Sequence, residues 1–204
     1  MVGILIDPKK CIVAIQSQTK SEIRKAILGV RDAINESIRD AASQQLVKHV
    51  DGLALSSDQT VAAFLPIRSE IDLRPLMQVL AERVKRICLP VVINRQTIVF
   101  REYLPGSDLV ETGFGTSGPG EEAQLVDPDV LLMPLAAFDG VGNRLGYGAG
   151  HYDRAIARLQ QKGYQPKLVG VAFDCQRVAA IPADAHDVPL HTVLTETGVY
   201  ELAQ

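Results

Sequence analysis

Residues 130–154, VLLMPLAAFDGVGNRLGYGAGHYDR, constrain the fold of this chain more than any other stretch. They open with a nine-residue apolar run, 130–138, that contains Pro134. A membrane-spanning helix needs roughly 18 apolar residues or more, so the run reads instead as a strand covered on both faces. Gly146, Gly148 and Gly150 then alternate through a loop, and HYDRAIARLQQKG predicts a helix that stops at Gly163. An apolar strand, a glycine-rich turn and a helix in that order belong to layered α/β architecture.

The rest of the chain repeats the alternation. Thr19 and Glu22 have capping-box spacing. Behind them Ile23, Ile27, Val30, Ile34 and Ile38 recur in steps of three and four, which predicts one amphipathic helix, or two with a break near Gly29 or Asn35. Residues 73–84 predict another helix. Residues 60–66, 86–93, 97–104, 130–135, 167–173 and 192–196 predict strands, and the glycine-rich stretch 105–124 predicts a loop. The expected fold is a single-domain α/β/α sandwich with a largely parallel central sheet over residues 19–204; residues 1–18 are left unassigned.

With 204 residues, 47% hydrophobic and 22% charged, the chain has the composition of a folded protein rather than a disordered one. Its net charge of -3 lacks the basic excess of a general nucleic-acid binder, while a few local cations suffice for a small anion. MVGILIDPKK has no basic segment before its short apolar piece, and Asp7 and Pro8 cut that piece, so no secretory signal is read there. Cys11, Cys88 and Cys175 are odd in number and form no CxxC pair; buried free thiols in a reducing cytosol are expected, and with them a cytoplasmic location away from membranes.

The loop 138–154 is the first candidate for chemistry. Glycines let a backbone approach a ligand closely, and a helix start offers free N–H groups to an anion. Phosphate is the natural guest, and Arg144 can add a charge-assisted bond. The pattern is neither a Walker loop nor a dinucleotide fingerprint, and a structural turn explains the glycines equally well. Asp153, at the helix start, reads either as a carboxylate favoured by the helix dipole or as a Mg²⁺ ligand beside phosphates, with Asp187 able to share the ion. Lys20 and Arg24 share a helix face, as a solvated basic surface or as a clamp on a polyphosphate. Glu70, in FLPIRSE after a strand, is either a surface carboxylate or an acceptor for the donors of a heterocycle. Tyr147 and Tyr152 stack on a ring or simply pack. His49 is expected in solvent, and His151, His186 and His191 have no metal spacing.

Together these segments resemble the 5-formyltetrahydrofolate cyclo-ligase family, also called 5,10-methenyltetrahydrofolate synthetase, from about residue 20 to 199. NRLGYGAGHYDR, preceded by VLLMPLAAFD, is the most specific piece; KSEIR, FLPIRSEID, VGVAFDCQ and IPADAHDVPLHTVLTETGV accompany it in family order. The resemblance implies the fold of sugar-phosphate isomerases and CoA transferases. It implies an ATP-dependent ligase that needs Mg²⁺ and converts 5-formyltetrahydrofolate to 5,10-methenyltetrahydrofolate through a phosphorylated formyl group. It assigns Lys20, Arg24, Arg144, Leu145, Gly146, Tyr147, Gly148, Ala149, Gly150, His151 and Tyr152 to ATP. It assigns Leu65, Glu70, Gly148, Gly150 and His151 to the folate, Asp153 and Asp187 to the metal, and catalytic roles to Arg144, Tyr152 and Asp153. Arg68 or Lys85 would meet the glutamate tail. The partners implied are these small molecules alone, with the chain a monomer or weak dimer. His151 stands where the family usually has Tyr, Ala149 where it has Gly or Lys, Gly118 where Glu often precedes Pro119, and His191 where Asp is usual. A non-catalytic folate or nucleotide binder, or another phosphoester enzyme of this fold, are the competing readings.

Overall fold

The computed structural model describes residues 19–113, 115–184 and 187–202. The unassigned segment 1–18, with Cys11, lies outside them, as does His186.

Strands β1 (Thr60–Ala62), β2 (Arg86–Asn94), β3 (Thr97–Glu102), β6 (Val130–Pro134), β9 (Lys167–Val171), β10 (Thr192–Thr195) and β11 (Gly198–Glu201) form one seven-stranded sheet in the order β11-β10-β9-β6-β1-β2-β3. The inner pairs β10–β9, β9–β6, β6–β1 and β1–β2 are parallel; the outer pairs β10–β11 and β2–β3 are antiparallel. The expected largely parallel sheet is thus present. Its short apolar strands are buried on both faces because alternate residues feed two different cores. Val61, Val130, Leu132, Val169 and Val171 pack with Leu46, Val50, Leu53, Leu76 and Leu80 from the helical side that precedes β2. Ala62, Leu131, Met133 and Leu168 pack on the other face with Ala155, Ile156 and Leu159.

Helix α1 (Lys20–Asp32) starts at the predicted capping box: Thr19 N–H donates to Glu22 Oε2 at 2.8 Å, and Glu22 N–H to Thr19 Oγ1 at 3.3 Å. The predicted break falls at Asn35, whose Oδ1 accepts from Ser37 N–H at 2.9 Å and caps α2 (Glu36–Gln45). A 3₁₀ segment, Leu46–Leu53, and α3 (Arg74–Leu80) complete that side; α4 (His151–Gln161) covers the other.

Four expectations change. Val30 and Ile38 are 37% and 58% exposed, while Arg31, on the face that continues Ile23 and Ile27, is 1% exposed. The stretch 105–124 carries a hairpin, β4 (Val110–Gly113) with β5 (Thr116–Gly118), rather than loop alone. His49 is half-buried and shares a 3.2 Å hydrogen bond with Glu196 O. Of the described cysteines, Cys88 is buried as expected, and Cys175 is half-buried.

The chain turns toward β2 after β1 and toward β9 after β6, and β1 and β6 are neighbours. That reversal leaves a crevice beyond their carboxyl ends, where open α/β sheets receive ligands.

Candidate active site

Two short connections shape the crevice. After β6 the chain forms a hairpin, β7 (Ala137–Phe138) with β8 (Arg144–Leu145). Its turn is built around buried Asp139. Oδ1 accepts from Val141 N–H at 3.1 Å and Asn143 N–H at 2.9 Å, and Oδ2 accepts from Ile181 N–H at 2.9 Å. Buried Gln176 donates to Leu135 O at 2.6 Å and Ala136 O at 3.1 Å, which pins the segment between β6 and β7. After β1, residues 63–70 bend at Arg68, whose φ of 55° lies in the left-handed region, and this bend turns Ser69 and Glu70 inward. Strain of this kind in a non-glycine residue is tolerated where surroundings enforce it, commonly at functional sites.

The resulting cavity has a volume of about 320 Å³. Lys20, Arg24, Leu65, Glu70, Asp187 and every residue from 144 to 153 line it. The positions singled out in the sequence for ATP, the pterin ring and the metal therefore converge on one crevice, although they come from four distant parts of the chain. Neither Arg68 nor Lys85 is among the lining residues.

Gly148 and Gly150 have φ of 97° and 65°, conformations that a side chain disfavours. Gly150 is the N-cap of α4 and supplies no side-chain acceptor, so the first N–H groups of the helix remain available to a ligand. Three cations stand around this loop. Arg24 Nε donates to Gly146 O at 2.7 Å. Lys20 Nζ bridges Asp187 at 2.5 Å and Asp184 at 2.6 Å. Arg144 donates to Asp153 Oδ1 and to Val188 O, so one guanidinium spans the helix start and the segment that carries Asp187. Desolvation opposes the charge on both Lys20 and Asp187, but their mutual bonds prevail: the lysine pKa is raised and the aspartate pKa lowered.

The remaining lining is largely apolar. Phe64, Ile67, Leu89, Val92, Ile98 and Met133 face the cavity, and none was singled out from the sequence, since apolar residues in or beside strands look like core. Thr116 and Ser117 also line it, on the hairpin missed above. Into this surface projects Glu70. Its Oε2 accepts from Ile67 N–H at 2.9 Å, and its Oε1 is buried without a hydrogen-bond partner of good geometry. Burial pushes the carboxyl up, against the Tyr147 hydroxyl, the Ile67 N–H and the charges of Arg31 and Arg68. A buried orphan acceptor calls for a donor.

Tyr147 does not simply pack: Arg31 donates to its hydroxyl and lies 5.6 Å from its ring centre. The Tyr152 ring packs on the α4-side core, and burial of its phenol holds it protonated. His151 shares a 3.0 Å hydrogen bond with Arg95 O. His191 Nδ1 accepts from Leu168 N–H at 2.9 Å, a backbone-bracing role. Among the described residues no three His, Cys, Asp or Glu side chains gather into a metal cluster, and no helix is long and apolar enough to cross a membrane.

Sheet topology and cavity together define an α/β enzyme in which an anion-receiving helix start adjoins an apolar wall with one buried acceptor. The sequence model of the 5-formyltetrahydrofolate cyclo-ligase family matches residues 16–196, and the chain belongs to that family. It is 33% identical over 187 residues to the 5-formyltetrahydrofolate cyclo-ligase of Haemophilus influenzae, covering 88% of this chain and 99% of that one. To the enzyme of the same name from Escherichia coli K12 it is 40% identical over 148 residues, covering 70% and 80%. The solved structure of Aquifex aeolicus 5,10-methenyltetrahydrofolate synthetase superposes with a TM-score of 0.77 at 31% identity, over 91% of this chain and 93% of that one. The enzyme is thus a ligase that closes carbon–nitrogen bonds.

Proposed function

We propose that the enzyme converts 5-formyltetrahydrofolate and ATP to 5,10-methenyltetrahydrofolate, ADP and phosphate, with residues 19–204 acting as one domain. The formyl oxygen attacks the γ-phosphorus of ATP, and ADP leaves. The formyl group becomes an iminium phosphate, N10 of the folate adds to its carbon and gives up its proton to solvent, and loss of phosphate leaves the methenyl bridge. Phosphoryl transfer of this kind depends on positioning and charge neutralisation rather than on a covalent nucleophile. The observation that carries the reading is the shared lining: cations, glycine loop and buried acceptor face one space.

Lys20, Arg24 and Arg144, with the N–H groups at the start of α4, hold the phosphates. Leu145 to Tyr152 form the nucleotide loop, and Gly148, Gly150 and His151 border both ligands. Leu65 and the apolar wall receive the pterin ring, and Glu70 accepts from its ring donors. Tyr152 closes the side of the loop that faces the core. Asp153 and Asp187 are the two hard-oxygen ligands offered to Mg²⁺, and the donor set fits, because this ion takes one or two carboxylates and fills its shell with phosphate and water. When bound there, Mg²⁺ would neutralise phosphate charge. Arg144 and Lys20 pair with the same carboxylates.

The test is turnover of the purified protein with Mg·ATP and 5-formyltetrahydrofolate. Growth of the near-ultraviolet absorbance of methenyltetrahydrofolate together with ADP is expected. Well-folded protein that binds the folate but forms neither product would overturn the reading in favour of a binding protein.

A further inference from the structure

We propose that Arg31 is a positioning residue for folate recognition: its buried guanidinium fixes the Tyr147 hydroxyl so that the phenol proton faces Glu70, and Glu70 meets the substrate as an acceptor. The proposal rests on the reading of Glu70 as the partner of the pterin ring.

Arg31 sits one turn beyond Ile27 on the buried face of α1, a position where the helical pattern calls for an apolar residue. A guanidinium there is tolerated only if its donors are met. Nε donates to Ser69 Oγ at 3.0 Å, Nη1 donates to the Tyr147 hydroxyl, and Nη2 lies 3.9 Å from Asp32 Oδ1. The Ser69 hydroxyl in turn donates to Asp32 Oδ1. Both residues that Arg31 grips therefore flank the substrate acceptor: Ser69 is its chain neighbour, and Tyr147 stands across from it on the glycine loop.

The direction of the protons follows from the donor inventory. A guanidinium has donors only, so the phenol oxygen must accept from it. The single phenol proton is then free to face elsewhere, and Glu70 lines the same cavity as Tyr147, next in the chain to the Ser69 that Arg31 also grips. Burial, then the Glu70 charge, raise the phenol pKa and keep that proton in place. The charged and titratable groups facing Glu70 are Arg31 from α1, Arg68 from its own loop, Tyr147 from the glycine loop and Tyr152 from α4. With Ile67 N–H on Oε2 and Tyr147 oriented by Arg31, Oε1 is left as the open acceptor.

The experiment is steady-state kinetics of the full chain, varying each substrate in turn across pH. Arg31→Met raises the KM for 5-formyltetrahydrofolate about tenfold, the effect of one lost hydrogen bond to a charged group, and leaves the KM for ATP unchanged. The acid limb of kcat/KM for the folate moves to higher pH, because a carboxyl that has lost a facing cation ionises less readily. Tyr147→Phe keeps the ring, removes the relayed atom and produces the same two changes. The double variant is no worse than Arg31→Met alone. An Arg31→Met enzyme that loses kcat with both substrates equally, its acid limb unmoved, shows only a core role and overturns the proposal. So does a Tyr147→Phe enzyme with wild-type folate KM, and this variant decides the matter if Arg31→Met does not fold. Failure of the wild-type enzyme to turn over removes the folate reading itself; altered variants are judged only beside an active wild type.

Discussion

Glu70→Gln makes the folded chain more stable at neutral pH while weakening folate binding. Glu70 is 7% exposed and its Oε1 has no partner of good geometry. Leaving a buried polar group unsatisfied costs about 1–3 kcal/mol, and more when it is charged. The Ile67 N–H, the Tyr147 hydroxyl and the charges of Arg31 and Arg68 offset part of this, which places the net penalty at about 1–2 kcal/mol. For a chain of this size each kcal/mol moves Tm by roughly 2–4 °C, so the variant gains roughly 2–8 °C. The sign of the pH dependence is fixed by the direction of the pKa shift. Burial raises the folded-state pKa above the ordinary value of 4.5. Below that value Glu70 is protonated in folded and unfolded chains alike, and the wild type and Glu70→Gln melt together. As pH rises through the folded-state pKa, the unfolded chain ionises more readily, and the wild type loses stability relative to the variant. Thermal unfolding followed by circular dichroism from about pH 4 to about pH 8 spans this change. A variant that melts at or below the wild type at neutral pH, with a gap that does not vary with pH, would show that the site does not penalise the carboxylate.

Asp153→Ala abolishes turnover yet lowers Tm by no more than roughly 8 °C, since a carboxylate at a partly buried helix start, paired with Arg144, is worth up to about 2 kcal/mol; paired activity and melting measurements check this, and unchanged activity removes Asp153 from the metal site. Arg24→Ala raises the KM for ATP about tenfold or more and spares that for folate, read from initial rates; the reverse pattern moves Arg24 to the folate side. Gly150→Ala forces a side chain into φ of 65° and puts its Cβ 2.9 Å from Arg154 Nη1. It costs about 1–2 kcal/mol, seen as a lower Tm together with a higher KM for ATP; a variant with wild-type values for both would refute the conformational argument.

What could be read in the sequence followed from how far each signal reaches. The strands of the inner sheet were legible because burial on both faces leaves an unbroken apolar run, as in 130–134 and 167–171. The start of α1 and the break at Asn35 were legible because capping is local chemistry among residues two or three apart. β7, β8 and β11 were not, since two to four residues carry no periodicity and pair only because the rest of the fold holds them side by side. The site divides along the same line. Its glycines, cations and carboxylates announce themselves by type, whereas its apolar wall cannot be told from core until the crevice exists.

Arg31 shows most clearly where pattern reading stops. Steps of four from Ile23 through Ile27 lead directly to it, so the signal was a cation at the place of the next apolar residue. A periodicity argument passes over such a residue and takes Val30 instead, because cost is assigned to buried charge before its partners are known. The partners lie 38 and 116 positions along the chain, at Ser69 and Tyr147. A buried charge is affordable only when remote segments supply acceptors, so its survival in α1 requires the β1 loop and the glycine loop to be correctly placed at once. Lys20, Arg24 and Arg31 thereby make one helix the common reference for phosphate contacts and for the substrate acceptor. A shift of α1 by a fraction of a turn would disturb both ends of the cavity together, which is why this helix, rather than the glycine loop alone, sets the geometry of the site.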